Sequence, residues 1–227
     1  MSKVTMAFVT RLGLGLVALS SLCANAADGV APAEKKEITR IAVFGGSFSV
    51  IPPSREAKSE WCRSLNLHYD DYGVGGAGFV ANGRGGTNGI PIQVDRALAS
   101  HRQYDAFLFW ASTNDIWNED KIAQQNASIE NCVRKIRVAR PTAKILFMTS
   151  MPIPLRPKNR LMDYAEAQSE TCRRLGIPVL EQHRLVKFPK ENTAMYFSRD
   201  KLHPNEKGYG FVKDIQVKFL KEELCAR

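Results

Sequence analysis

Beyond its first 26 residues the chain lacks any apolar run long enough to cross a bilayer as a helix. None of its five cysteines forms a C-x-x-C pair, and its four histidines have no partners at metal-ligand spacing, so the usual zinc motifs are excluded and no metal or cofactor is expected. Acidic residues are scarce beside basic ones, 23 against 32, giving a formal charge of +9. The bases nevertheless stand singly or in pairs, as at Lys35-Lys36 and Arg173-Arg174, with acids between them and no basic helix face interleaved with aromatics. That pattern argues against nucleic acid as a partner and leaves weak attraction to an anionic envelope or polysaccharide as the modest alternative. Internal repeats are missing, and so are low-complexity tracts after the N-terminal region.

Residues 1–26 read as an export signal. Lys3 and Arg11 supply the basic start, Leu12 to Leu22 the apolar stretch, and Ala24-Asn25-Ala26 an A-x-A cleavage site. Processing as a lipoprotein at Cys23 fits less well, because Leu22 stands where a small residue is expected. Cleavage would lower the charge to +7, since the leader contains no acid. About 200 residues remain, enough for one domain whose core needs no metal staple. Residues 27–37, rich in Ala, Pro, Glu and Lys, form a flexible lead-in, and 38–227 the folded domain, expected in the periplasm or outside the cell. Of the remaining cysteines, Cys62, Cys132, Cys172 and Cys225, two disulfides are plausible in an exported protein, and spacing alone leaves all three pairings open.

Ile38 to Phe44 is an apolar run ending in Gly-Gly-Ser, the pattern of a buried strand entering a turn. A helix follows to about Leu65, with Ser54 as its cap, and Leu67 to Val74 is a short second strand. Residues 75–91 are too rich in Gly, Asn and Thr for a regular element, and a loop of that length suggests function. Helices are expected at 92–101, 119–139, 160–175 and 204–224, and strands at 104–110, 144–148 and 177–180. Alternating strands and helices imply an α/β fold with a parallel sheet covered on both faces, and ligands bind beyond the carboxyl ends of such strands.

Four polar blocks stand out: Gly45-Gly46-Ser47-Phe48, Gly73-Val74-Gly75-Gly76 and Ser112-Thr113-Asn114-Asp115 each follow a strand, and Asp200-Lys201-Leu202-His203-Pro204 stands just before the closing helix. Each has a bland reading as a turn, because Gly, Ser, Asn and Asp are common there. Together they supply what serine-based acyl transfer requires. Ser47 is a hydroxyl nucleophile, His203 a base, Asp200 its orienting carboxylate, and the Gly76 N–H with the Asn114 amide can donate to an oxyanion. Asp200 and His203, three apart, can meet within one turn. The segment lacks the G-x-S-x-G spacing of α/β-hydrolases. His68, His101 and His183 are expected as surface or packing residues. Trp117 reads either as partly buried packing or as a platform for a sugar ring.

With these blocks the chain resembles the SGNH hydrolases, also called GDSL esterases and lipases, from Ile41 to the closing helix. Ser47 matches the first block and its nucleophile, Gly76 the second, Asn114 the third, and Asp200 and His203 the last. The resemblance implies a flavodoxin-like three-layer α/β/α sandwich with a central five-stranded parallel sheet, an oxyanion hole of Ser47 N–H, Gly76 and Asn114, and ester hydrolysis, often on acylated carbohydrates or lipids. Two positions depart from the family pattern: Gly46 replaces the usual Asp before the nucleophile, and Ser112 the usual Gly opening the third block. The sheet order of this architecture further implies pairing of Cys132 with Cys172 and of Cys62 with Cys225. The expected activity is an exported esterase acting on short acyl groups of a carbohydrate, because the loop from Phe79 to Pro91 is polar and Gly-rich. The alternatives are a lipase or lysophospholipase, with Met148, Met151, Ile153 and Leu155 lining an apolar trench, an O-acyltransferase, or a non-catalytic glycan-binding envelope protein on the same scaffold.

Overall fold

The computed structural model describes residues 40–117, 121–154, 158–189 and 193–225. The export signal and lead-in expected at 1–37 lie outside them, as does Leu155. Five strands, β1 (Arg40–Gly45), β2 (His68–Asp71), β3 (Ala106–Trp110), β4 (Lys144–Met148) and β5 (Val179–Leu180), form one parallel sheet in the order β2-β1-β3-β4-β5. The three inner strands are near-continuous hydrophobic runs because both of their faces are covered. The sequence His68-Tyr69-Asp70-Asp71 is polar and half-exposed, as suits an edge.

Side chains alternate across the sheet. Ala42, Phe44, Phe107, Phe109 and Phe147 face α3 (Ile90–Ala99), α4 (Ile122–Ala139) and α5 (Lys158–Arg174), where Val94, Ile129, Val133 and Ile136 complete one buried layer. On the other side Ile41, Val43, Leu108, Trp110 and Leu146 pack against Ala57, Trp61 and Leu65 of α2 (Pro52–Leu65) and Phe219, Leu220 and Leu224 of α7 (Glu206–Cys225). This is the three-layer sandwich the sequence implied.

Several boundaries move for local reasons. Ser54 is not a cap: α2 begins at Pro52, where a missing N–H costs nothing, with Ile51 as its N-cap. Proline likewise shifts α3 forward, Pro91 lying in its first turn. The closing helix starts at Glu206 rather than Pro204, because the Asn205 carboxamide accepts the Gly208 N–H at 3.1 Å and so caps it. Two short helices without a periodic signature, α1 (Ser47–Val50) and α6 (Gln182–Leu185), were not expected.

The cysteine pairings are also corrected: Cys62, Cys132, Cys172 and Cys225 are all free thiols. Cys132 and Cys172 do share the α3–α4–α5 face, where burial pushes each thiol up to about 12. A shared face leaves the distance between helices open, whereas a disulfide needs Cα atoms within about 7 Å. Cys132 and Cys172 serve instead as small core residues.

One charged side chain lies deep in the core. Lys58, fully buried on α2, donates to the Ser49 carbonyl of α1 at 2.5 Å, pairs with Asp71 at the end of β2, and lies 5.2 Å from the centre of the Tyr69 ring. Burial lowers its pKa against the pull of Asp71. Removing only the carboxylate strands the ammonium, so Asp71→Ala should cost about 3 kcal/mol, while Lys58→Met, which removes the buried charge, should cost much less. Urea titration of both variants measures that asymmetry.

Candidate active site

Strand order reverses between β1 and β3, and at such a switch point the two carboxyl ends diverge to leave a crevice. Ser47 follows β1 there as the first residue of α1, and Asn114 follows β3. Gly46 is extended at φ −100°, and a Cβ on it would lie 2.5 Å from the Ala77 carbonyl oxygen and 2.7 Å from Asn114 Nδ2. Only glycine fits, and the tight approach brings the Ala77 and Asn114 segments against the residue preceding Ser47.

His203 arrives from the far end of the chain. Its Nε2 lies 2.8 Å from Ser47 Oγ and its Nδ1 2.6 Å from Asp200 Oδ2. With Nδ1 donating to the carboxylate, Nε2 holds a lone pair aimed at the serine hydroxyl. The Asp200-to-His203 turn is closed locally: Asp200 Oδ1 accepts the N–H groups of Leu202 at 2.9 Å and His203 at 3.0 Å, and Ser198 N–H donates to the His203 carbonyl at 2.8 Å. Lys201 takes φ +53° to make this turn, a left-handed conformation held by its neighbours. Phe48 sets its ring edgewise to the imidazole at 5.5 Å, and Tyr209 of α7 donates to the Phe48 carbonyl at 2.6 Å, tying α7 to α1. Desolvation raises the Asp200 pKa, but hydrogen bonds from the His203 ring and the two N–H groups outweigh it, so the carboxyl stays below its ordinary value and ionised.

In the loop after β2, Gly76 sits in a left-handed turn at φ +80°, and its N–H has no acceptor among the described residues. Asn114 Nδ2 lies 2.8 Å from the Ala77 carbonyl oxygen and 2.9 Å from Ser112 Oγ, which itself donates to the same carbonyl at 2.7 Å. These three atoms form a nearly equilateral triangle, so the two acceptors subtend about 60° at Nδ2, half the angle between two amide hydrogens. Both contacts fix the Asn114 amide against the Gly76-Ala77 turn.

Ser112 thus orients Asn114 and the Gly76-Ala77 turn together. If it acts through Asn114, Ser112→Ala should lower kcat about tenfold in the wild-type background and less than twofold in Asn114→Ala, with KM little changed. Equal losses in both backgrounds would assign Ser112 a merely structural part.

Sequence reasoning missed three residues that build this edge. Asp115, 2% exposed, accepts the N–H groups of Phe79, Val80 and Ala81 at 2.8, 3.0 and 2.8 Å. Burial pushes its carboxyl up while these donors pull it back. Gly78 has to be glycine, since a Cβ there would fall 2.2 Å from the Asp115 carboxylate. The third, Gln93, is buried on α3 and pairs with both backbone groups of Gly45, at 2.9 and 3.0 Å. Asp115 stood next to Asn114 in a block already singled out; Gln93 could have been noticed as an amide among the apolar positions of its helix.

Other candidates fall elsewhere. Trp117, 39% exposed, follows Asn114 on a single 3-10 turn. His183 is buried, with Nδ1 2.8 Å from Thr149 Oγ1 and Nε2 3.2 Å from Glu166 Oε1, and burial holds its pKa down. Among the described residues no group of three His, Cys, Asp or Glu side chains could hold a metal ion. Met148, Met151 and Ile153 are buried in the core rather than lining a trench. No described helix is long and apolar enough to cross a membrane.

A parallel five-stranded sheet of this order, with Ser47, His203 and Asp200 converging beyond its carboxyl edge, defines a flavodoxin-like α/β protein with a candidate Ser-His-Asp site. The chain belongs to the GDSL-like lipase/acylhydrolase family, whose pattern it matches over residues 44–211; members of this family hydrolyse esters. Comparison with curated protein sequences finds no match. Among solved structures it is similar to a member of the lipolytic G-D-S-L family from Veillonella parvula (16% identity, TM-score 0.62, covering 83% of this chain and 100% of that one). It is also similar to the psychrotrophic esterase EstA from a Pseudoalteromonas species, inhibited by monoethylphosphonate (14% identity, TM-score 0.61, 82% and 99% covered). A third neighbour is a family two carbohydrate esterase from Clostridium thermocellum in complex with cellohexaose (18% identity, TM-score 0.61), of which this chain spans about two thirds, 85% and 67% being covered.

Proposed function

We propose that the protein is an exported serine esterase that removes short acyl groups, acetyl above all, from a carbohydrate. The observation that carries this reading is the continuous relay Ser47–His203–Asp200, at 2.8 and 2.6 Å, joining residues 156 positions apart. Ser47 Oγ attacks the ester carbonyl carbon while its proton passes to His203 Nε2, and Asp200 steadies the imidazolium. The negative charge on the carbonyl oxygen is met by the N–H groups of Ser47 and Gly76 and the Asn114 amide. His203 returns the proton to the departing alcohol oxygen as the C–O bond breaks. Water then attacks the acyl-enzyme by the same route, releasing the acid and restoring the serine.

The preference for a small acyl group on a polar alcohol rests on the surroundings of Ser47. Asn82, Arg84, Gly85, Gly86 and Thr87 of the loop after β2 are exposed, and Met148, Met151 and Ile153, which could have formed an apolar trench, are buried. Trp117 offers an aromatic face beside Asn114 for a sugar ring. The carbohydrate esterase among its neighbours supports the same direction. Hydrolysis of p-nitrophenyl acetate, butyrate and palmitate, followed by acetylated polysaccharides, tests it: rates should fall in that order, and a preference for palmitate would overturn the assignment. Export predicts a mature N-terminus at Ala27, read by N-terminal sequencing of the protein recovered outside the cytoplasm.

A further inference from the structure

The loop between β2 and α3 carries an arginine for which the proposed acyl transfer has no use. Arg84 donates its backbone N–H to the Gly75 carbonyl at 3.0 Å, and its own carbonyl accepts the Asn88 carboxamide at 2.5 Å. Three glycines around it, Gly83, Gly85 and Gly86, take left-handed conformations at φ +71°, +82° and +74°, so the segment folds back on itself. The result sets the Arg84 side chain over the Gly75-Gly76 turn: a Cβ built on Gly75 would lie 3.7 Å from Arg84 Nε. This is the turn whose Gly76 N–H has no acceptor among the described residues. Arg84 is exposed, and among the described residues no acidic side chain pairs with it.

The turn that presents His203 is cationic as well. Arg199 and Lys201 flank Asp200 in the turn that presents His203, both are exposed, and neither pairs with an acid among the described residues. Asp200 is already engaged by the imidazole, and Asp115 is buried and held by three N–H groups. Positive charge without an acidic partner among the described residues thus stands at the Gly75-Gly76 turn and at the turn that presents His203. A guanidinium fork presented on a braced turn matches a carboxylate in geometry as well as charge.

Building on the proposed esterase reading, we propose that the glycan it deacylates is acidic, with Arg84 binding a carboxylate of a uronic-acid residue close to the scissile ester and Arg199 and Lys201 meeting further carboxylates along the chain. The expected behaviour is a preference for polyanionic substrate that weakens with salt, since these groups are solvent-exposed.

Acetate release from O-acetylated polygalacturonate and from O-acetylated xylan, at about 20 and 300 mM salt, reads this directly. Wild-type kcat/KM should favour the acidic polymer about tenfold at low salt, and the advantage should shrink at high salt. Arg84→Gln should cut the acidic-to-neutral ratio at least fivefold, and Arg84→Lys, which keeps the charge but not the fork, should fall between Gln and wild type; a purely structural part for Arg84 would depress both substrates together and leave the ratio alone. Equal rates on the two polymers at low salt, or a ratio untouched in Arg84→Gln, would overturn the inference. An O-acetylated sulfated dextran separates the anion types, and preference for it alone would contradict recognition of carboxylate. If p-nitrophenyl acetate is cleaved in a Ser47-dependent way while the polymers are not distinguished, only this inference fails. Absence of Ser47-dependent cleavage on every ester removes the underlying reading.

Discussion

Replacing His203 with alanine should lower kcat by about 10⁴-fold or more, and Asp200→Asn by about 10³- to 10⁴-fold, with KM for a small ester changing little in either case. The two losses have different origins. Without His203, Ser47 Oγ has no base within hydrogen-bond reach among the described residues, and its proton leaves only to water. Asparagine at 200 can still occupy the turn, but it can also hold the ring through its carboxamide N–H, placing the proton on Nε2 where a lone pair is needed. The two changes act on one relay, so the double variant should be scarcely worse than His203→Ala. The pH profile separates them further. Because hydrogen bonds keep the Asp200 pKa below its ordinary value, the carboxylate remains ionised wherever the enzyme works, and Asp200 should add no second proton to the acid limb of kcat/KM. A slope of two would mean that Asp200 titrates in the same range.

The second large effect concerns a residue that touches no substrate. Asp115→Ala removes the acceptor of three N–H groups in a buried site, and unsatisfied donors there cost about 1 to 3 kcal/mol each before relaxation. Water entering the space left by the carboxylate recovers part of this, so a net loss of about 3 kcal/mol is expected, or roughly 6 to 12 °C in Tm for a domain of this size. Activity should fall as well in the fraction that remains folded. The turn at 79–81 is continuous with Gly76 and Ala77, and without Asp115 the Gly76 N–H and the Asn114 amide are held together only through the Ala77 carbonyl. Asp115→Asn, which keeps an acceptor oxygen, should lie between the two. Thermal unfolding and single-turnover rates on one ester distinguish the parts: a stability loss with an unchanged rate would confine Asp115 to folding.

Much of the architecture was legible because a buried parallel strand writes itself as an unbroken apolar run. Ile41 to Phe44, Ala106 to Trp110 and Ile145 to Met148 can scarcely be anything else, and their order with the intervening helices sets a covered sheet. The meeting of Ser47 and His203 was legible only in combination. Each block alone reads as a turn, and three such turns at the carboxyl ends of strands with a fourth before the closing helix gave the pattern its meaning. What escaped depends on distances that periodicity does not encode. The cysteines lay on the expected faces of their helices, but a face does not set the separation between two helices. Lys58 occupies an inward position of α2, in register with Ala57, Trp61 and Leu65, and it escaped because a lysine is ordinarily assumed to reach solvent. Ser112 and Gly46 stood out as departures from the family pattern. That they belong together follows only from the coordinates, where the Ser112 Cβ would lie 2.7 Å from any Cβ at position 46.

The central claim is that Ser47 is the nucleophile, primed by His203. The most direct measurement is covalent labelling with a fluorophosphonate, followed by peptide mapping of the adduct. Rapid, stoichiometric modification at Ser47 is expected, slowed by orders of magnitude in His203→Ala and lost in Ser47→Ala. Labelling at another residue, or ester hydrolysis that continues at the wild-type rate in Ser47→Ala, would contradict it.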